Sequence, residues 1–328
     1  MSELKNKYYR IICLWILSEC ILGGIIHGLK IPISGLIVGS LSVICICLIG
    51  QYAKEKNNII YGALLVAIFK FILSPQSPIT AYIALFFQGL LGELLFRKNK
   101  NSNLKIYLFS IICLLESGIQ RIIIMTVVYG KSLWIVINET LEKFFTNTQF
   151  KSYSELFVFI YLCIHLIVGI GIGVLIIRLV KNLSAWRNLY EELNFSNSTK
   201  TMLHNKAIRK KSFLNIYLII WLILLVLFIV SKYSNFFTEL KSKIILNILF
   251  RSVFIIFTWI VLASPLLKYF LHKWLSKQIE KNKSDFEIIQ YMLPITQQIV
   301  VKTWTYTNSL KGIRRIKLFI KIVLVKCL

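Results

Sequence analysis

Long apolar runs dominate the sequence and limit what the chain can fold into. A transmembrane α-helix takes about 20 mainly apolar residues. Eight stretches meet this requirement, at roughly 11–29, 33–51, 59–74, 78–96, 104–130, 155–180, 212–231 and 244–267. Because a backbone in lipid must satisfy its own hydrogen bonds, such long runs fold as helices. The sequence therefore predicts an all-α integral membrane protein with about eight transmembrane helices.

Charged residues are scarce, and most of them are basic. Asp, Glu, Lys and Arg make up 16% of the chain, against about a quarter of an ordinary globular protein. Most of the surface is therefore expected to face lipid. The 39 Lys and Arg outnumber the 14 Asp and Glu by 25. In a membrane protein this excess indicates cytoplasmic loops before it indicates nucleic acid, and no nucleic-acid partner is expected.

The positions of the basic residues predict the orientation of the helices. If the N-terminus is inside, 29 Lys and Arg fall in inner segments, 7 in outer segments and 3 within the spans. Positive residues collect on the cytoplasmic side of membrane proteins. The sequence therefore predicts a multi-pass protein of the cell membrane with both termini in the cytoplasm.

A polar, basic stretch at 182–211 divides the chain into three regions. Residues 1–181 hold six of the apolar runs and form a predicted six-helix bundle. Residues 212–328 hold two further runs, followed by a cytoplasmic amphipathic basic tail. Four tail residues are candidates for contact with a coupling partner or with lipid: Lys311, Arg314, Arg315 and Lys317. Basic side chains beside apolar ones suit a helix on anionic lipid, while a protein partner stays open.

No motif for nucleotide binding, proteolysis or metal binding occurs in the sequence. Tyr129-Gly130-Lys131-Ser132 ends like a phosphate-binding loop, but Met125 stands where the first glycine is required. Asp285 is the only aspartate, so magnesium sites built from paired aspartates are excluded. The sequence predicts a protein that is not an enzyme, with no catalytic residue, no cofactor and no metal site.

Ionisable residues inside membrane spans are costly and indicate function by default. Six of them lie within the predicted spans: Glu19, His27, Lys70, Glu116, Arg121 and His165. The predicted orientation places the two histidines, Lys70 and Arg121 in the outer half of their spans. One hypothesis is a solute-binding site, in which the planar fork of Arg121 binds a carboxylate or phosphate. The alternative is a set of structural ion pairs between helices.

The first six runs also follow a recognisable layout. Lys30-Ile31-Pro32-Ile33-Ser34-Gly35 precedes a glycine-containing span, and Phe71-Ile72-Leu73-Ser74-Pro75 and Ala81-Tyr82-Ile83 lead to Gln88-Gly89-Leu90-Leu91-Gly92-Glu93-Leu94. Over about residues 8–181 this layout resembles the six-helix substrate-capture (S) components of energy-coupling-factor vitamin transporters. The resemblance implies capture of a vitamin or metal from outside, a transmembrane coupling protein and separate ATPase subunits. It also implies that small residues of the first helix, Gly24 and Gly28, contact the coupling protein.

Two functions follow as hypotheses. The first is a membrane transport component that captures a small solute from outside and couples to separate ATPase or membrane partners. The second is a membrane anchor or regulatory protein that transports nothing and whose basic tail recruits a partner or anionic lipid.

Overall fold

The computed structural model describes residues 3–28, 33–52, 57–74, 77–97, 102–144, 153–190, 253–255 and 257–328. These residues are almost entirely helical and include no strand. The first helix has three parts, α1 (Glu3–Leu17), a π-helical segment (Ser18–Leu22) and α2 (Gly23–Gly28). The later helices are α3 (Ser34–Tyr52), α4 (Asn58–Leu73), α5 (Ile79–Phe96), α6 (Asn103–Tyr129), α7 (Lys131–Phe144), α8 (Tyr153–Tyr190), α9 (Ser264–Lys281), α10 (Lys283–Tyr306) and α11 (Gly312–Cys327).

Among the described residues, five helical stretches are long and apolar enough to cross a membrane. They are Lys5–Ile26, Ser34–Gln51, Ile79–Phe96, Asn103–Tyr129 and Tyr153–Tyr190. The shorter helix α4 is also apolar. These six helices match the first six predicted spans, which confirms the helical fold class. Of the last two, 212–231 lies outside the described residues and 244–267 is described only in part, so the count of eight stays a prediction.

The chain divides into two compact units. The first contains the described residues of Met1–Ser117, His165–Leu203 and Leu275–Leu328, and the second those of Gly118–Ile164 and His204–Trp274. In the second unit, the side-chain oxygen of Asn138 on α7 accepts a hydrogen bond of 2.5 Å from the backbone N–H of Ser154. This contact ties the amphipathic helix α7 to the start of α8.

Helix α5 approaches its neighbours in the first unit closely because it carries glycines at two contacts. A Cβ added at Gly89 would lie 2.6 Å from the Cβ of Ala63 on α4. A Cβ added at Gly92 would lie 2.6 Å from a methyl group of Ile46 on α3. Small residues allow this close approach in apolar bundles. The segment Gln88–Leu94 therefore fixes the spacing of three helices.

Glu93, in the same segment, accepts hydrogen bonds from backbone N–H groups at the beginning of α4. Its carboxylate accepts hydrogen bonds from the backbone N–H groups of Asn57 (2.8 Å) and Ile59 (3.0 Å). The first N–H groups of a helix have no partner within the helix, and negative charge is favourable there. Asn57 itself has a positive φ of 69°, a conformation that asparagine adopts more readily than most residues.

The basic tail packs against the first helix. Helix α10 lies along α1, and the carboxylate of Asp285 accepts hydrogen bonds from the hydroxyls of Tyr9 (2.5 Å) and Tyr61 (2.7 Å). The ring of Phe286 stacks on that of Phe69 with centroids 4.8 Å apart. The described residues from 275 onward belong to the first unit, and the region 212–328 stays a prediction.

We expect that removing the Asp285 carboxylate will loosen the tail. Asp285→Ala deprives two tyrosine hydroxyls of their acceptor, and hydrogen bonds to charged groups contribute about 1.5–3 kcal/mol. The free energy of unfolding should fall by about 2 kcal/mol, and protease should cut the tail sooner. Glu287→Ala is the matched control, because it removes the same charge from an exposed position on α10. Equal stability and equal proteolysis of the two variants would contradict the docking role of Asp285.

Candidate functional site

A buried ion pair lies among the apolar helices of the first unit. The ammonium nitrogen of Lys70 on α4 is 2.5 Å from a carboxylate oxygen of Glu19 in the π-helical segment. The Lys70 side chain is 1% exposed and that of Glu19 is 5% exposed. Lysine and glutamate are almost never so buried unless they are paired. The structure therefore joins two of the six ionisable residues that the sequence analysis selected.

The π-helical segment presents Glu19 to the interior. Ser18, Glu19 and Cys20 are buried together, while the next residues, Ile21 and Leu22, are exposed. A π-helical turn holds more residues than an α-helical turn, so it changes which residues face the interior, and such turns are frequent at functional sites. No proline interrupts this helix, so its sequence gives no signal for the change.

Ser42 and Tyr82 complete the surroundings of the pair. The hydroxyl of Ser42 on α3 donates a hydrogen bond to the second carboxylate oxygen of Glu19. The Tyr82 ring on α5 lies 5.8 Å from the ammonium of Lys70, within the range of a cation–π interaction. The cluster thus draws one residue from the π-helical segment and one from each of α3, α4 and α5.

The sequence analysis did not select Ser42 or Tyr82 as site residues. Both are uncharged, and a search for ionisable residues passes over them. Hydroxyl groups inside spans were the available signal, because they hydrogen-bond across helices in membrane proteins. Gln88 on α5 is a further buried polar residue, of which 3% is exposed.

The other four predicted site residues do not join this cluster in the described contacts. His165 on α8 is buried in the first unit. Glu116 on α6 is partly buried, and one of its carboxylate oxygens has no hydrogen-bond partner within the described part of the chain. Arg121, also on α6, is exposed and belongs to the second unit. His27 lies in α2, and its side chain is outside the described residues.

The remaining candidates lie on α2 and in the tail. Gly24 is partly buried, and Gly28 is the last residue of α2. Lys311, Arg314 and Lys317 are exposed. Arg315 differs from them, because it donates a hydrogen bond of 3.1 Å to the carbonyl oxygen of Trp304. Its guanidinium carbon also lies 3.9 Å from the centroid of the Trp304 ring. Arg315 therefore ties α11 to α10.

The cluster combines an ion pair with one hydroxyl and one aromatic ring. Across the described ranges, no three or more His, Cys, Asp or Glu side chains lie where they could hold a metal ion. The ion pair is neutral as a whole, and both carboxylate oxygens of Glu19 are engaged. A charged solute could bind there only by replacing one partner of the pair.

We expect that removing one charge of the pair will lower the free energy of unfolding more than removing both charges. Lys70→Met leaves the Glu19 carboxylate buried and unpaired, which should cost about 3–5 kcal/mol of unfolding free energy. The double variant Glu19→Gln, Lys70→Met should recover most of that loss, since no charge is left buried. Chemical unfolding in detergent measures both, with Lys317→Met as the control at an exposed lysine. A double variant as unstable as Lys70→Met alone would show that the pair is not the cause.

Comparison with known proteins gives no match for this chain. No protein-family model, no curated protein and no solved structure matches it.

Proposed function

We propose that the chain is a membrane transport component that captures a small solute from outside the cell. The observation that carries this proposal is the buried Glu19–Lys70 ion pair. Replacing a buried ion pair by well-packed apolar residues is often neutral or stabilising. Stability alone is therefore a weak reason to keep such a pair, and ionisable residues within apolar helices indicate function by default, which supports a role in binding.

The pair offers a way to recognise a charged solute. A solute carboxylate or phosphate would take the place of Glu19 on the ammonium of Lys70, while Ser42 keeps a hydrogen bond for the released Glu19. The Tyr82 ring would remain on the other side of the ammonium. The ammonium of Lys70 stays paired throughout the exchange, whereas the released Glu19 carboxylate keeps only its hydrogen bond to Ser42, a cost that the contacts of the solute have to offset. Glu116, His27 and His165 of the first unit are further candidates for solute contact in this proposal, and Arg121 of the second unit stays a candidate by itself.

The remaining parts of the proposal follow the resemblance to substrate-capture components. The chain sits in the cell membrane as a multi-pass protein, with about eight spans and both termini in the cytoplasm. It has no nucleotide-binding loop, so separate ATPase subunits supply the energy through a transmembrane coupling protein. Gly24 and Gly28 contact that coupling protein, because small residues permit close helix contact in lipid. The solutes to be tested are vitamins that carry a carboxylate.

Solute binding to purified protein tests the proposal. Biotin and folate, whose carboxylates could take the place of Glu19, are added one at a time to the full chain in nanodiscs. We expect one of them to raise the melting temperature of the wild type. In the double variant Glu19→Gln, Lys70→Met its affinity should fall at least about tenfold, because a charge-assisted contact is lost. The control Lys317→Met should bind like the wild type. If the double variant bound the solute with the affinity of the wild type, the pair would have no role in binding and the proposal would be wrong.

A second function is favoured by the exposed surface at the start of α11. Ile313 is 72% exposed and Ile316 is 50% exposed, beside the exposed Lys311, Arg314 and Lys317. This mixture suits a helix that binds anionic lipid or a partner, in an anchor or regulatory protein that transports nothing. A chain that binds none of the solutes, and whose tail is protected from protease only when anionic lipid is present, would support this function over capture.

A further inference from the structure

One surface of the first unit combines positive charge with exposed apolar side chains. It lies at the start of α11 and is formed by five exposed residues, which define the α11 surface: Lys311, Ile313, Arg314, Ile316 and Lys317. Ile313 and Ile316 are three residues apart, and so are Arg314 and Lys317. An apolar row and a basic row therefore run side by side along the helix.

The positive charge of the α11 surface is not neutralised within the described residues. From position 288 to position 328 the sequence has seven Lys and Arg and no Asp or Glu. The side chains of Lys311, Arg314 and Lys317 make no ion pair and no hydrogen bond in the described part of the chain. Arg315, which lies between them, is engaged with Trp304 instead. Three cationic side chains of α11 are therefore available to an anionic partner.

Two contacts hold the second half of α11 at the ends of membrane-crossing helices. The guanidinium of Arg10, in the first turns of the apolar stretch Lys5–Ile26, donates a hydrogen bond of 3.2 Å to the carbonyl oxygen of Lys326. The ammonium of Lys321 lies 5.1 Å from the centroid of the Trp186 ring, in the last turns of α8. Both helix ends fall on the predicted cytoplasmic side, where spans meet lipid headgroups. The α11 surface begins four residues before Lys321 and ends ten residues before it, at about 6–15 Å along the helix.

We propose that the α11 surface binds the phosphate headgroups of anionic lipids. This inference rests on the second function proposed above and names the partner of the tail, and it is independent of solute capture. Lysine and arginine side chains near an anionic leaflet are attracted by its negative surface potential. The guanidinium fork of Arg314 matches the geometry of phosphate oxygens, and the two lysines add point charges. Ile313 and Ile316 enter the boundary between headgroups and acyl chains.

The composition of this region favours lipid over a protein partner. Lysine is depleted at protein–protein interfaces, whereas a helix on a membrane surface carries lysine and arginine beside large apolar residues. Trp304 and Tyr306, at the end of α10, are also exposed. Tryptophan and tyrosine are enriched where membranes meet water, because one end of each side chain is apolar and the other is polar. The exposed aromatic rings and the basic row are therefore both explained by one lipid surface.

Photo-crosslinking from within the α11 surface identifies what covers it. The photoreactive residue benzoylphenylalanine replaces Ile316 in the full chain, which is reconstituted into phosphatidylcholine nanodiscs with or without phosphatidylglycerol. After irradiation, mass spectrometry identifies the molecule that is joined to the probe. We expect lipid adducts whose yield is at least about tenfold higher with phosphatidylglycerol, because three basic residues add their attraction to the anionic surface. Added salt should lower that yield, since it screens exposed charges.

A charge variant tests which residues attract the lipid. Three substitutions are combined with the probe: Lys311→Gln, Arg314→Gln and Lys317→Gln. The yield of lipid adducts in phosphatidylglycerol nanodiscs should fall at least about tenfold, because the basic row is removed while Ile313 stays. Biotin and folate should bind this variant as they bind the wild type. Failure of both solutes to bind the wild type would contradict solute capture and leave the lipid adducts unaffected.

A matched control removes the same net charge from another part of the first unit. It combines Lys277→Gln, Lys281→Gln and Lys283→Gln, at three exposed positions of α9 and α10, and it should leave the adduct yield unchanged. Equal yields with and without phosphatidylglycerol, or an equal loss in both charge variants, would overturn the inference. Adducts with a second protein chain in place of lipid would also overturn it, while the tail would remain a surface that recruits a partner.

Discussion

The ion pair between Glu19 and Lys70 is the interaction on which the arrangement of the first unit depends. It joins the first helix to α4 at 2.5 Å, and Ser42 and Tyr82 bring in α3 and α5. Apolar contacts are not directional, so they specify the position of one helix along another less strictly than a buried ion pair does. A buried charge cannot slide away from its partner without a cost of several kcal/mol. The pair therefore fixes the relative positions of four helices.

A second polar cluster ties the same two helices together closer to their N-terminal ends. The hydroxyls of Tyr9 and Tyr61 both donate hydrogen bonds to Asp285. Tyr9 lies ten residues before Glu19 in the first helix, and Tyr61 lies nine residues before Lys70 in α4. At a rise of about 1.5 Å per residue, the two clusters are separated by nearly equal lengths of the two helices. The first helix and α4 therefore run in the same direction, as expected for the first and third spans of the predicted order. The tail helix α10 is held by Asp285, so the only aspartate of the chain is a docking residue.

The sequence could predict the helices but not their polar partners. Runs of apolar residues define spans because lipid imposes that requirement on each segment separately. Glu19 and Lys70 were recognisable as costly residues, yet 51 positions separate them, and the π-helical turn that directs Glu19 inward has no sequence signal. As the only aspartate, Asp285 excludes magnesium sites built from paired aspartates, but nothing in the sequence near it points to Tyr9 or Tyr61. Such pairs form only when the helices pack, and the order of residues along the chain does not specify that packing. Of the predicted site residues, Glu116 lies in the first unit and Arg121 in the second.

Chemical labelling of lysines tests most directly that the pair is buried. The full chain in nanodiscs is treated with a water-soluble amine-reactive ester, and the modified lysines are quantified by mass spectrometry over time. The account predicts that Lys311 and Lys317, which are exposed, react quickly, while Lys70 stays unmodified until the protein is unfolded. Modification of Lys70 in the folded protein at the rate of the two exposed lysines would contradict it.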